Sequence, residues 1–184
     1  MTPTATPVET PQRSAPWRIA LLFLILGAVF WIGGITVRAI LGGDMLKFGT
    51  LEFEDYLSPD VERELFRLIS IVSIVVLASY VLVLISSVIF LLTSPLRLRE
   101  HGWLMMSAIL FYVFVPVEAF TGYLDAKMIY YEFFTTVDNT AFRELFIARI
   151  GALKGAPIVA MLCYYTIIVL AVFQPFRRPP HSTR

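Results

Sequence analysis

Few residues in this chain could do chemistry, and the most exposed to the question is Glu118, in the run "FYVFVPVEAF" two residues after Pro116. A carboxylate in so apolar a stretch is costly in lipid unless it pairs, titrates or lines water. Two kinds of chemistry follow. Either Glu118 neutralises a cation and serves construction, or it carries a proton or cation with Arg38, Arg149 or Lys154 as its switching partner. Arg38 stands equally isolated in "GGITVRAILGG", and we expect it to form an ion pair with Glu118. Pro116 has no N–H for the carbonyl of Tyr112, so a kink is expected there.

The remaining inventory is poor. The histidines, His101 and His181, fall in a turn and a tail, where they cannot grip a haem between helices, and the lone Cys163 excludes an internal disulfide or a CxxC pair. No glycine-rich phosphate loop, HExxH or GxSxG is present. The sequence therefore offers no catalytic, cofactor-binding or metal-binding residue set, and no cofactor is expected. Acidic residues at 52, 54, 55, 60, 62 and 64 lack EF-hand spacing and read as solvated charge.

Composition fixes the setting of these groups. With 58% hydrophobic residues and 16% charged ones, 184 residues carry too little polar surface for a soluble globule. Four apolar stretches, 17–40, 68–93, 103–124 and 152–173, are each long enough at ~1.5 Å per residue to cross a ~30 Å hydrocarbon core. The first is too long for a signal-peptide core and is read as a span. The expected fold is thus an all-α integral membrane protein with four transmembrane helices. Arginines at 13, 18, 97, 99, 177, 178 and 184 lie close to span ends, whereas the opposite side spreads its Lys and Arg over longer loops. That density places both termini in the cytoplasm and two loops outside, in a plasma (inner) membrane.

"RELF" occurs twice, at Arg63-Glu64-Leu65-Phe66 and Arg143-Glu144-Leu145-Phe146. Shifting the chain by this spacing of 80 gives fifteen identities in 76 ungapped positions, among them Gly42 with Gly122, Lys47 with Lys127 and Pro95 with Pro175. Most fall in loops and caps, where apolar composition does not manufacture matches, so two tandem helix–loop–helix hairpins are expected, related by a pseudo-twofold along the membrane normal. The boundaries read 1–16 and 177–184 for unstructured tails, and 17–96 and 97–176 for the repeats, with outer loops 41–67 and 125–151. Ser58-Pro59-Asp60 marks a helix start, as does 138–140 in the second unit, so the "RELF" corner residues Arg63, Glu64, Arg143 and Glu144 sit on helices and grip a loop or the other repeat.

Two further expectations concern packing. The loop stretches "LEFEDYL" and "MIYYEFF" have strand-like content and could pair across the axis. Gly151 and Gly155, interlocked with Ala152, Ala156 and Ala160, give the fourth span a small-residue packing face, bent near Pro157. With no reaction centre in view, the chain reads as a non-catalytic accessory or scaffolding subunit of a larger membrane complex. The alternatives are a small transporter coupled through Glu118, and a membrane-embedded lipid-handling enzyme or sensor. Expected partners are the lipid bilayer and other membrane subunits or a second copy, with no role for nucleic acid.

Overall fold

The computed structural model describes residues 16–47, 49–96, 98, 100–135 and 139–175, with the side chains of Ala152 and Lys154 left undescribed. Within these residues the chain is all-helical: α1 is Pro16–Met45, α2 Pro59–Thr93, α3 Gly102–Tyr112, α4 Val115–Phe134, α5 Asn139–Ile150 and α6 Ala156–Phe173, with a 3₁₀ turn, Ala152–Gly155, before α6. Four stretches are long and apolar enough to cross a membrane: α1, α2, α3 with α4, and α6. The tails, apart from Pro16, and the cap residue Asp138 lie outside the described residues, as do Arg97 and Arg99.

Local chemistry sets the helix ends. Ser58 caps α2 by accepting from the Val61 N–H at 3.4 Å, with Pro59 opening the helix and Asp60 and Glu62 in its first turn. Between α3 and α4 the chain breaks at Val113 and Phe114, where Phe114 N donates to Phe111 O at 3.3 Å and the regular ladder resumes only with Glu118 N to Phe114 O at 3.0 Å. Pro116 is the cause, since it cannot donate to the turn below. At α6 the interruption is deeper: Gly155 takes φ 91°, a left-handed conformation that favours glycine, and Pro157 sits in the helix's first turn.

This corrects three expectations. The fourth span begins at Ala156, so Gly151 precedes and Gly155 ends a 3₁₀ turn, and they cannot form one face of a spanning helix; the left-handed Gly155 ends that register. The expected outer loop 125–151 is mostly helix, since α4 runs on to Phe134 and α5 follows. "MIYYEFF" is thus helical and cannot pair as a strand. In the first loop the only extended pairing among the described residues is a bridge from Leu46 to Phe53, closed by Lys47 N to Glu52 O at 2.8 Å within the same loop.

Three apolar clusters stack along the bundle. Ala20, Phe90 and Leu104 fill the tail end, Trp31, Val76, Tyr80, Val83, Ala160 and Tyr164 the middle, and Met45, Phe66, Ile69, Met128, Phe142 and Phe146 the loop end. Trp31 anchors the middle one, its ring 4.6 Å from Tyr164 and 5.1 Å from Tyr80. In the last cluster Phe66 meets Phe146 with ring centroids 6.5 Å apart, and nearby Asn139 donates to the Pro59 carbonyl at 3.4 Å.

Close approach of α1 to α2 depends on missing side chains. A Cβ on Gly34 would lie 2.7 Å from Val76 Cγ2, and one on Gly27 2.9 Å from Val83 Cγ2, whereas a Cβ on Gly33 would meet nothing within 4 Å. Gly34→Leu is therefore expected to destabilise the chain by about 1–3 kcal/mol, as overpacking does, and Gly33→Leu to leave it within about 0.5 kcal/mol. Thermal unfolding in detergent reads the difference; equal tolerance at both positions would contradict this packing.

Candidate functional site

Between the middle and loop-end clusters lies a layer of charge. Arg38 sits on the buried face of α1, between Trp31 and Met45, and Asp125 on that of α4, between Thr121 and Met128. The Arg38 Nη1 donates to Asp125 Oδ2 at 2.5 Å and to Ser73 Oγ of α2 at 3.3 Å. From α5, Arg149 Nε donates to the other carboxylate oxygen, Oδ1, at 2.9 Å. One carboxylate, 2% exposed, is thus held between two guanidiniums brought by different helices.

Energetics decide what such a triad means. A buried ion pair gains little net stability, because desolvating the charges offsets their attraction, but an unpaired buried charge is strongly destabilising. Burial lowers the proton affinity of Arg149, and the neighbouring Arg38 lowers it further, with Asp125 opposing both. The arrangement holds only while all three groups are present.

Glu118 does not join Arg38, which corrects the expected pair. Its Oε1 accepts from the Tyr164 hydroxyl at 3.0 Å. The physical reason is helical phase: Asp125 lies seven residues beyond Glu118, two turns along the same helix, and is the carboxylate at the level where Arg38 and Arg149 arrive. Sequence reasoning missed Asp125 because the span was expected to end at 124. The seven-residue spacing from Glu118, with buried Thr121 between them, was the signal available.

The "RELF" arginines make two more pairs nearer the loops. Arg63 Nη2 donates to Glu132 Oε1 at 3.0 Å, leaving its Nη1 and Glu132 Oε2 buried with no protein partner. Arg143 grips Glu62, 1% exposed, in a two-pronged contact through Nε at 2.5 Å and through Nη2. Its guanidinium also lies 4.8 Å from the Phe53 ring centroid. Donating to the Glu62 carboxylate raises the proton affinity of Arg143. Glu64 and Glu144 are exposed, and the Lys154 side chain lies outside the described residues.

Chemically this is an assembly of guanidinium and hydroxyl donors paired with carboxylates. Among the described residues no three His, Cys, Asp or Glu side chains converge to hold a metal ion, and half-buried Cys163 stands apart from the charged layer, one residue before Tyr164.

Removing the shared carboxylate leaves two buried guanidiniums uncompensated. Asp125→Ala is expected to cost about 3–5 kcal/mol, against about 1–3 kcal/mol for Glu118→Ala, which breaks a single hydrogen bond. Unfolding in detergent would test the ranking, and the reverse order would move the structural centre to Glu118.

Comparison with protein-family models, with curated proteins and with solved structures gave no match, so function has to be read from the chain's own residues.

Proposed function

We propose that the chain is a non-catalytic four-span membrane protein serving as an accessory or scaffolding subunit of a larger membrane complex. On this reading it lies in the plasma (inner) membrane with both termini cytoplasmic and two loops outside, built from tandem hairpins 17–96 and 97–176 about a pseudo-twofold along the membrane normal. The observation that carries it is where the charges go. Arg38–Asp125, Arg63–Glu132 and Arg143–Glu62 each fasten a residue before position 97 to one after it. Charge committed to joining two halves is not free for a moving proton or a reaction.

Two features support the tandem architecture. Moving α2, Pro59–Thr93, by 80 positions lands on Asn139–Phe173, the stretch from the first residue of α5 to the last of α6. The contacts Phe66–Phe146 and Pro59–Asn139 join positions 80 apart, as equivalent residues close to a twofold axis must. For association, only 11% of the apolar window of α6 is buried within the chain, leaving a surface for lipid or another subunit to cover.

One observation favours a second reading, a small proton- or cation-coupled transporter. Glu118 occupies the first turn of α4, directly after the break at Val113–Phe114, and interrupted membrane helices are where transporters bind ions. Extraction of native membranes in mild detergent separates the two. A scaffold is expected to migrate in a stoichiometric complex larger than its own 20.8 kDa. A chain that runs alone and moves protons in liposomes, with the flux abolished by Glu118→Gln, would replace the first reading by the second.

A further inference from the structure

A cleft of about 340 Å³ opens between α1 and α6 at the loop end of the bundle. Its walls are apolar, with Ile35 and Gly43 on α1 and Ile158 and Met161 on α6, and its charged lining residues are Arg38 and Arg149, with no carboxylate among them. The acids lie behind this wall: Asp125 has a side chain only 3% exposed, and Glu118 is turned to Tyr164. Arg149 spends Nε on Asp125, and among the described residues its two terminal NH₂ groups carry no partner.

Depth matches this chemistry to one kind of molecule. Arg38 lies 22 residues beyond Pro16, or ~33 Å along the helix, so a chain starting at one membrane face reaches the headgroup level of the other at that point. From the same level α6 descends past Ile158 and Met161 into the hydrocarbon. Guanidiniums at headgroup depth above an apolar groove between helices are the arrangement that recognises a phospholipid, whose phosphate takes the donors and whose acyl chain takes the groove.

We propose that this cleft is a binding site for one glycerophospholipid of the leaflet at the loop end, its phosphate held by Arg149 and Arg38 and one acyl chain lying along α6. The site needs no partner subunit, so it stands or falls separately from the scaffolding role.

The full chain, purified in detergent, is mixed with phosphatidylglycerol or with diacylglycerol of the same acyl chains, and bound lipid is counted by native mass spectrometry. One phosphatidylglycerol per chain is expected, with diacylglycerol retained about tenfold less, the worth of a charge-assisted contact. Arg149→Gln should lower phosphatidylglycerol retention by about the same factor. Gly43→Phe provides a second arm that keeps both arginines: a Cβ there meets nothing within 4 Å, so the variant fills the cleft without a clash at its base and should also expel the lipid. Equal retention of the two lipids would overturn the proposal, as would displacement of the lipid by millimolar inorganic phosphate. Wild-type retention by folded Gly43→Phe would do the same, whether or not Arg149→Gln folds.

Discussion

A carboxylate with almost no access to solvent has to be compensated by protein, and in this chain that constraint falls on Asp125. Enclosed by the helices, it meets neither water nor lipid, so its two oxygens take donors from Arg38 and Arg149. Those donors come from α1 and α5, and Ser73 of α2 ties in through Arg38. Four helices are thereby set in register by one ionised group, with aromatic and aliphatic layers sealing it on both sides. Van der Waals packing alone is a weak guide between helices in a bilayer, since lipid tails are as apolar as the side chains. Specific polar contacts supply the missing direction.

The interruptions in the second half make this geometry reachable. α2 runs unbroken for 35 residues, whereas the stretch 139–173 is divided into α5, a 3₁₀ turn and α6. The left-handed Gly155 and Pro157 separate these pieces, so α5 brings Phe142, Phe146 and Arg149 inward at an orientation not dictated by α6. The break before Pro116 likewise lets α4 carry Asp125, Met128 and Glu132 against α2 and α5 independently of α3. Beside the broken helix a cleft remains against α1.

Sequence reading succeeded where lipid or local sterics impose the answer. The four apolar stretches had to be helical because backbone amides in hydrocarbon bond only within their own segment. The start of α2 was legible in Ser58-Pro59-Asp60, and the disturbance near Pro116 in the missing N–H. It failed where partners had to be chosen. Arg38 and Glu118 occupy positions 80 apart, and that equivalence suggested a pair. A shared spacing does not by itself bring two residues together: Phe66 and Phe146 touch, whereas Arg38 reaches Asp125 instead. Amphipathic pattern gave no help, because lipid-facing and core-facing sides of α1 are both apolar, and its buried residues Gly27, Trp31, Arg38 and Gly42 stand out only once a neighbour covers them.

By itself, then, the amino-acid order determined four helical stretches long and apolar enough to cross a bilayer, where one of them is capped, and where proline disturbs another. Those features depend on residues close in sequence and on a solvent that permits one backbone solution. Which guanidinium meets which carboxylate, and that two arginines share Asp125 while facing an apolar cleft, was decided only by the tertiary structure. A charge selects its partner by distance through space, and that distance is fixed by the rotation and offset of whole helices, which no local stretch encodes.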